Sequence, residues 1–281
     1  MKSSIVITGA STGIGRACAL YLDGKGHSVF AGVRKDADGD ALARDASARL
    51  VPIIIDVTDH SSIAAAAKLV ADETGPDGIK GLVNNAGIAV SGPLEYLPID
   101  DLRKQLEVNV VGQIAVTQAF LPMIRTARGR VVNMGSVAGR SPSAPLIGPY
   151  AASKMAMEAL TDSLRLELAR WDIHVSIVEP GSIATPIWDK SGPDFDNLTD
   201  SMPAEGKERY GKLIEVGRKI AAAQNRRGIA PEKVAKAVEH ALTSSRPRTR
   251  YLVGKDAQVR ARVESLIPDK VRDKIVARVL R

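Results

Sequence analysis

Short apolar segments rich in β-branched residues alternate along this chain with longer segments whose apolar residues recur at helical spacing. The short segments predict strands at 4–7, 28–31, 50–55, 81–83, 130–134, 174–178 and 251–253, and the longer ones predict helices at 14–22, 61–73, 101–121, 150–169 and 231–242. Successive strands joined by helices of this length pair in parallel through right-handed crossovers, with helices on both faces of the sheet. The pattern therefore predicts an α/β fold with a doubly wound parallel sheet.

Two segments depart from this alternation. Residues 186–228 mix glycine, proline and aspartate with scattered large apolar residues, and a long insertion of this kind often covers a binding site. Residues 246–281 are rich in lysine and arginine. We interpret residues 1–281 as a single domain with a lid at about 186–228 and a basic C-terminal extension at about 246–281.

Charge is concentrated in that extension. The chain has a formal net charge of +7, and residues 246–281, with eleven Lys and Arg against four Asp and Glu, account for all of it. Apolar residues at helical spacing accompany these charges; they are Val259, Val263, Leu266, Ile267, Val271, Ile275 and Val279. Two interpretations stay open: peripheral contact with an anionic membrane, and packing on the body or on a partner subunit, which we favour. With few aromatic residues in the tail and a neutral body, we expect no nucleic-acid binding.

Composition limits the remaining classes. Hydrophobic residues make up 44% and charged residues 25% of the 281 residues, as in ordinary soluble proteins. The single cysteine, Cys18, cannot form an internal disulfide, and we expect no metal site. The N-terminus leads directly into a predicted strand, and no apolar run approaches the ~18 residues of a membrane span. We therefore expect a cytoplasmic protein.

A glycine-rich turn joins the first strand to the first helix. The turn reads Thr8-Gly9-Ala10-Ser11-Thr12-Gly13-Ile14-Gly15. Glycines let the backbone approach a pyrophosphate, and the helix start offers unpaired N–H groups and the positive end of its dipole. The turn thus predicts a Rossmann-type dinucleotide site, although a tight turn in another kind of α/β protein is the alternative.

Two further segments follow strands at the edge of the sheet where open α/β proteins bind ligands. Asp56 and Val57 come after the third strand, and the sequence Asn84-Asn85-Ala86-Gly87 comes after the fourth. Both are predicted to contact the cofactor. The alternatives are that Asp56 caps the next helix and that the asparagine pair only forms a turn.

The end of the second strand bears on which nicotinamide cofactor is bound. Gly32 occupies the position where NAD-binding sites usually carry an acidic residue, and the cations Arg34 and Lys35 follow it. An arginine can hold the 2′-phosphate of NADP(H) bidentately. We therefore expect a preference for NADP(H), with NAD(H) as the alternative. Nearby Asp36 and Asp38 keep open the alternative that Arg34 and Lys35 are two solvated surface cations.

Four residues form the candidate catalytic group. Tyr150 and Lys154 are four residues apart on a predicted helix, so that their Cβ atoms lie roughly 5–6 Å apart on one face. A neighbouring ammonium lowers the pKa of a phenol and makes it a usable acid and base near neutrality. Ser136, at the end of the fifth strand, could bond the reacting oxygen, and Asn109, on the preceding long helix, could hold a water that links Lys154 to solvent. The alternative is a half-exposed helical pair without chemistry.

Taken together, these motifs resemble the short-chain dehydrogenase/reductase family over nearly the whole chain. Thr8 to Gly15 matches the family's glycine loop, Asn84 to Gly87 its Asn-Asn-Ala-Gly motif, and Pro180-Gly181, with Ile183 and Thr185, its segment at the nicotinamide carboxamide. The family's catalytic tetrad is matched in order by Asn109, Ser136, Tyr150 and Lys154.

The resemblance implies a role for each member of the tetrad. Tyr150 would donate a proton to the carbonyl in reduction or accept one in oxidation, and Ser136 would orient the reacting oxygen. Lys154 would bind the nicotinamide ribose and tune Tyr150, while Asn109 would complete the proton relay. Ser136 lies 14 residues before Tyr150, one more than is usual in the family, and we place the extra residue in the loop 141–149.

The substrate is less well defined by the sequence. The expected pocket walls, at 90–94, 138–147 and the lid, are rich in apolar residues, which favours a lipophilic alcohol or ketone. The same residues could instead simply pack the lid, and Arg140 could meet a substrate anion or stay solvated. The chain most resembles the hydroxysteroid/retinol dehydrogenase-like branch, which implies steroid, retinoid or other lipid-like substrates. The alternatives are a 3-oxoacyl or small polar carbonyl substrate, and a regulatory protein without turnover.

The resemblance also implies a homodimer or homotetramer packed partly through the helix that carries Tyr150.

Overall fold

The computed structural model describes residues 3–140, 145–185, 199–200, 202–264 and 266–279. Seven parallel strands form one sheet in the order β3-β2-β1-β4-β5-β6-β7. The strands are β1 (Ser4–Ile7), β2 (Ser28–Val33), β3 (Leu50–Ile54), β4 (Gly81–Asn84), β5 (Arg130–Met134), β6 (His174–Pro180) and β7 (Arg250–Val253). The predicted α/β class and doubly wound parallel sheet are confirmed.

Helices cover both faces of this sheet. They are α1 (Gly13–Gly24), α2 (Asp36–Ala43), α3 (His60–Thr74), α4 (Ile99–Leu106), α5 (Gly112–Ala127), α6 (Gly148–Leu168), α7 (Ala204–Arg227), α8 (Glu232–Thr243), α9 (Lys255–Glu264) and α10 (Asp269–Val279). Leu22 of α1 and Val238 of α8 lie in the core on one face, and Val70 of α3 with Phe120 of α5 lie in the core on the other. The continuous apolar strands are buried between these two layers, as parallel strands should be.

The register of the sheet places the functional loops together. β1 pairs with β2 on one side and with β4 on the other, so the direction of strand order reverses at β1. Ile7 pairs with Val83, and Val83 pairs with Val132, which aligns the carboxyl ends of β1, β4 and β5. Ligands of open α/β sheets bind in the crevice at such a switch point.

Three elements differ from the sequence-based expectation. The helix expected at 101–121 is interrupted by a π-helical turn, Glu107–Val111, between α4 and α5. Helix α2 was not expected. Most of the segment interpreted as an irregular lid is the 24-residue helix α7, whose periodicity is obscured by three glycines, Gly206, Gly211 and Gly217. Residues 186–198 of that segment lie outside the described part of the chain.

Cys18 lies in the core and is fully buried. Burial raises the pKa of its thiol to about 12, because no charged neighbour offsets the loss of water around a thiolate. In the described part of the chain, no helix combines the length and the apolar character that crossing a membrane requires.

Candidate active site

A cleft with a volume of about 540 Å³ lies at the carboxyl ends of the strands. Its walls come from the glycine turn, from the segments after β2, β3, β4 and β6, and from the catalytic residues. Of the predicted cofactor residues, those that line it are Gly9, Ser11, Thr12, Gly13, Ile14, Gly15, Arg34, Asp56, Val57, Asn85, Ala86, Gly87, Tyr150, Lys154, Pro180, Gly181, Ile183 and Thr185. Segments far apart in sequence thus meet around one elongated space.

The glycine turn is shaped by backbone that other residues would strain. Gly9 has φ +66° and Gly13 has φ +57°, both in the left-handed region. A Cβ on Gly15 would stand 2.2 Å from the carbonyl oxygen of Gly9, so only glycine fits where α1 begins. Thr12, the N-cap of α1, makes no side-chain capping bond among the described residues, and the first N–H groups of the helix therefore face the cleft.

Thr8 differs from its predicted role as a cofactor contact. Its side chain is fully buried, and its hydroxyl accepts hydrogen bonds from the backbone N–H groups of Asn85 and Ala86, both at 3.0 Å. The Asn85 side chain donates in return to the carbonyls of Thr8 and Gly9. Thr8 therefore joins the turn after β1 to the loop after β4, because the two strand ends are adjacent in the sheet.

The alternatives for Asp56 and for the asparagine pair can now be compared with their contacts. Helix α3 is capped by Asp59, whose carboxylate accepts from the backbone N–H groups of Ser61 and Ser62. Asp56 instead accepts from Thr58 and faces the cleft. Asn84 is buried and bonds Thr117 and Asn133, so it is part of the core and not of the cleft wall.

The end of β2 has no room for an acidic side chain. A Cβ on Gly32 would stand 2.5 Å from Ile55 Cγ2 and 2.9 Å from the carbonyl oxygen of Ile7. Arg34 is exposed and lines the cleft, whereas Lys35 is the N-cap of α2 and lies outside the lining. Lys35 is therefore not part of the cleft wall where it was predicted, and helix α2 begins at the next residue.

Tyr150 and Lys154 are not the half-exposed pair of the alternative reading. Their relative exposures are 8% and 4%, and Ser136 is 9% exposed. The Lys154 ammonium donates to the backbone carbonyl of Met134 at 2.7 Å and lies 5.8 Å from the centre of the Tyr150 ring. Ser136 Oγ accepts a hydrogen bond from Ala138 N and is bonded to the Tyr150 side chain. The phenol, hydroxyl and ammonium thus converge on one end of the cleft.

Burial dominates the protonation of this group. It raises the pKa of Tyr150 above its usual value, although the hydrogen bond with Ser136 opposes the rise. Burial also lowers the pKa of Lys154 to about 8. The expectation that Lys154 lowers the pKa of Tyr150 is therefore not met by these residues alone, because desolvation of the phenolate outweighs the attraction of an ammonium 5.8 Å from the ring.

Asn109 lies in the π-helical turn and is fully buried. Its side chain accepts from Ile88 N at 2.9 Å and donates to Ile88 O and to Ser153 Oγ, and it does not line the cleft. Ser153 in turn donates to the carbonyl of Tyr150. Asn109 therefore fixes the loop after β4 to helix α6 through its side chain, and the water link to Lys154 stays a prediction.

A second cavity, with a volume of about 130 Å³, adjoins the catalytic end of the cleft. Both share Ser136, Tyr150 and Gly181. The apolar walls of this cavity are Val137, Ala138, Pro145, Leu146, Ile147, Leu213, Ile220 and Ala221. Leu146 has φ +70°, an uncommon conformation for a leucine, and its carbonyl accepts from Gly92 N at 2.7 Å. The loop before α6 and helix α7 therefore shape an apolar pocket next to the acid and base.

Helix α9 contributes to the same pocket, which the sequence did not predict. Asp256 and Arg260, one turn apart, both line it, and Asp256 accepts a hydrogen bond from Ser182 N at 2.7 Å. The carboxylate lies close against Gly181, where any Cβ would overlap it. No local pattern marks these residues as functional, since the contact with Ser182 joins residues 74 positions apart.

Comparisons with known proteins agree with this geometry. The family model for short chain dehydrogenases matches residues 3–195. The chain belongs to the short-chain dehydrogenase family. It is thus an NAD(P)-dependent oxidoreductase.

The relatives of this dehydrogenase include a retinol dehydrogenase and a hydroxysteroid dehydrogenase. It is 39% identical to "Retinol dehydrogenase 5" of Mus musculus, with 98% of this chain and 88% of that protein covered. It is 38% identical to "17-beta-hydroxysteroid dehydrogenase type 6" of Bos taurus, with 98% and 87% covered. The predicted resemblance to the hydroxysteroid/retinol branch is confirmed.

Solved structures of similar dehydrogenases hold either cofactor. One from Burkholderia cenocepacia in complex with NADP has a TM-score of 0.73 and 28% identity, with 100% of this chain and 98% of that chain covered. One from Burkholderia phymatum in complex with NAD has a TM-score of 0.79 and 25% identity, with 94% and 93% covered. The family binds both nicotinamide cofactors.

Five of the seven apolar residues in the stripe of the basic extension are exposed. Val259, Val263, Leu266, Val271 and Ile275 are between 43% and 81% exposed. The expectation that these side chains pack on the body is therefore wrong, since the buried face of α9 is the opposite one, which carries Ala257. Contact of the stripe with a partner subunit or with a membrane stays a prediction.

Proposed function

We propose that this dehydrogenase interconverts a lipophilic alcohol and its carbonyl compound, with NADP(H) as the preferred cofactor. One observation carries the proposal: the apolar pocket opens onto the cofactor cleft at Ser136 and Tyr150. A substrate with an apolar body would place its single reacting oxygen between these two hydroxyl groups. The names of the retinol and hydroxysteroid dehydrogenases among the relatives support the same class.

The residues along the cleft fit a dinucleotide. Gly9 and Gly15 let the turn after β1 pack closely against the loop after β4 and the start of α1, where a Cβ would clash. The start of α1 presents N–H groups to a pyrophosphate. A nicotinamide bound in the cleft would supply or accept the hydride. Lys154, held by the carbonyl of Met134, would bond the ribose hydroxyls beside Tyr150.

The protein's own groups handle the proton. Burial keeps Tyr150 protonated, so its hydroxyl is ready to donate to a carbonyl oxygen during reduction. The hydrogen bond with Ser136 stabilises the phenolate that results, and the same phenolate takes the proton from an alcohol in the reverse reaction. Ser136 also orients the reacting oxygen, because Ala138 N fixes its side chain from behind. The apolar walls of the pocket strengthen each of these interactions by limiting the access of water.

The cofactor preference rests on the end of β2. Without a carboxylate at Gly32, the ribose 2′-hydroxyl has no acidic partner there, while Arg34 lines the cleft as a cation. This arrangement favours the 2′-phosphate of NADP(H).

The proposal is tested by steady-state kinetics with a panel of carbonyl compounds and alcohols, read by NADPH absorbance. The panel should pair steroid, retinoid and long-chain compounds with small polar compounds that carry the same reacting group. We expect kcat/KM to rise with apolar size. Higher efficiency with the small polar compounds, or no turnover of any lipophilic one, would contradict the proposal.

The same enzyme is proposed to be a homodimer or homotetramer. Met155, Leu160 and Leu166 on α6 and Val111 are between 36% and 69% exposed, and exposed large apolar side chains suit a contact with another subunit. A second copy would cover these exposed side chains. Mass in solution should give a dimer or tetramer, and Leu166→Asp should shift it towards the monomer.

We also assign residues 186–228 the role of a substrate lid. Leu213 and Ile220 of α7 lie in the wall of the apolar pocket, which supports that role. Replacing either by Asn should raise KM for a lipophilic substrate while leaving cofactor affinity unchanged.

A further inference from the structure

A cluster of five charged side chains lies behind the catalytic residues. Glu179 on β6 is fully buried, and Glu158 on α6 has a side chain only 14% exposed. Arg250 of β7 lies 3.2 Å from Glu158 and 3.5 Å from Glu179, and Arg140 lies 3.5 Å from Glu179. Asp162 completes the cluster and takes the shortest bond from Arg250, at 2.6 Å.

The two buried glutamates lie within hydrogen-bond reach of each other, and Arg250 donates to only one oxygen of this pair, Glu158 Oε2. Both oxygens of Glu179 and Oε1 of Glu158 accept no hydrogen bond from any described residue. A buried carboxylate oxygen without a donor is strongly unfavourable, and two adjacent carboxylates cannot both stay charged at low cost. One proton between them would satisfy an oxygen on each side.

The counter-charges do not remove this need. Three guanidinium groups match the three carboxyl groups in number, but Arg165 bonds Asp162 at 3.0 Å. Arg140 and Arg250 each stay 3.5 Å from Glu179 and make no hydrogen bond to it. Burial, followed by the charge of Glu158, raises the pKa of Glu179 to about 7 although Arg140 and Arg250 oppose the rise. Burial likewise raises the pKa of Glu158, against the effect of the two arginines.

The pair lies directly against the floor of the active site. A Cβ on Gly135 would stand 3.3 Å from Glu158 Oε1, and Gly135 lies between Met134, which holds Lys154, and the catalytic Ser136. Glu158 follows Lys154 by one turn of α6. Glu179 immediately precedes Pro180 and Gly181 in the cleft wall. Because Glu158 is on α6 and Glu179 is on β6, the distance between their carboxyl groups also sets how closely α6 packs against the ends of β5 and β6.

We propose that Glu158 and Glu179 share one proton and act as a positioning pair that holds the Tyr150–Lys154 helix against the floor of the active site. Loss of that proton leaves two buried carboxylates that repel each other and push α6 away from β6. The effect on catalysis rests on the function proposed above, whereas the shared proton itself does not.

The sign of the stability effect follows from linkage. A carboxyl group with a pKa raised from about 4.5 to about 7 binds its proton more tightly in the folded than in the unfolded chain. The free energy by which this proton stabilises the folded chain is fully present below about pH 4.5 and is lost as the pH rises to about 7. The unfolding equilibrium constant should therefore rise by up to about tenfold per pH unit in that window.

Glu179→Gln mimics the protonated acid and tests the pair. The unfolding equilibrium constant, measured with denaturant across this pH window, should rise steeply with pH in the natural protein. In Glu179→Gln the same plot should have a smaller slope. Glu167→Gln, an exposed change on the same helix, should keep the natural slope. Equal slopes in the natural protein and Glu179→Gln would overturn the proposal. Glu158→Gln provides the same test should Glu179→Gln not fold.

Two further measurements separate positioning from simple stability. Infrared spectra of the natural protein at about pH 6 should show a protonated carboxylic acid that Glu158→Gln or Glu179→Gln removes; its absence overturns the shared proton even if no substrate is known. With a substrate, the ratio of kcat in Glu179→Gln to kcat in the natural protein should rise by about tenfold for each pH unit well above 7, with KM unchanged. Glu179→Ala, which cannot replace the hydrogen bond, should not recover kcat. A constant ratio would show that the pair does not position the catalytic helix.

Discussion

The ammonium of Lys154 donates to the backbone carbonyl of Met134 at 2.7 Å, and this bond ties helix α6 to the last residue of strand β5. The lysine is thereby held at a fixed position one helical turn from Tyr150, although burial disfavours its charge. Lys154 is thus held beside the phenol although its burial is unfavourable for a cation. Titratable groups with strongly shifted pKa values are typical of functional sites.

Replacing Lys154 should change both pH dependence and activity. Burial lowers the pKa of Lys154 to about 8, so the unfolded chain binds this proton more tightly than the folded chain does. The contribution of Lys154 to stability therefore rises with pH, from about 8 to the usual lysine pKa of about 10.4. Lys154→Met should remove that rise in denaturant unfolding and lower kcat by about 100-fold or more. Lys236→Met, an exposed change on α8, should do neither.

Tyr150→Phe should abolish turnover while leaving cofactor binding nearly unchanged. The variant removes the proton donor but keeps the ring, so the walls of the cleft are preserved. We expect kcat to fall by about 10²–10⁴. NADPH binding followed by fluorescence serves as the control, and retention of most of the activity would show that another group moves the proton.

Arg34→Ala should discriminate between the two cofactors. Loss of charge-assisted hydrogen bonds to a 2′-phosphate, at about 1.5–3 kcal/mol, corresponds to a drop of roughly 10–100-fold in kcat/KM with NADPH and little change with NADH. Lys35→Ala is the matched control, since Lys35 lies outside the cleft. A strong preference of the natural enzyme for NAD(H) would contradict the proposed role of Arg34.

Asp256→Ala tests the contribution of helix α9 to the site. Loss of the bond to Ser182 N should loosen the segment after β6, raising KM for cofactor and substrate severalfold with little change in overall stability because Asp256 is exposed. Asp269→Ala, which removes an ion pair with Arg272 in α10, should leave KM unchanged. Equal kinetics for the two variants would show that Asp256 has no role in the site.

Truncation after Gly254 is a poor test of the exposed apolar stripe in the extension. It also deletes Asp256, Arg260 and the fully buried Ala257, and so damages the pocket. Leu266→Asp leaves α9 in place and changes only a residue that is 81% exposed. Vesicle sedimentation with anionic lipid and mass in solution, each compared with and without this change, would show which surface the stripe contacts.

The sequence was sufficient wherever function depends on local spacing. Glycines at the start of α1 are needed because of the backbone conformation there, and Tyr150 and Lys154 share a face because they are four residues apart on one helix. Buried parallel strands carry a continuous apolar signal, so their order along the chain and the α/β class could be predicted. Thr8 was assigned to the cofactor because it belongs to the same motif, although its hydroxyl is used between two strand ends.

Other features depended on which distant segments pack together. The contact of Asp256 with Ser182, the pairing of Arg140 with Glu179 and the proximity of Glu158 to Glu179 each join residues on different elements, and no spacing along the chain encodes them. Burial decided the protonation of Tyr150 and Lys154 for the same reason. The sequence by itself determined the elements and the identity of the reacting groups, since both are local properties; only the tertiary structure decided their surroundings, because desolvation and charge pairing arise when separate parts of the chain exclude water from one another.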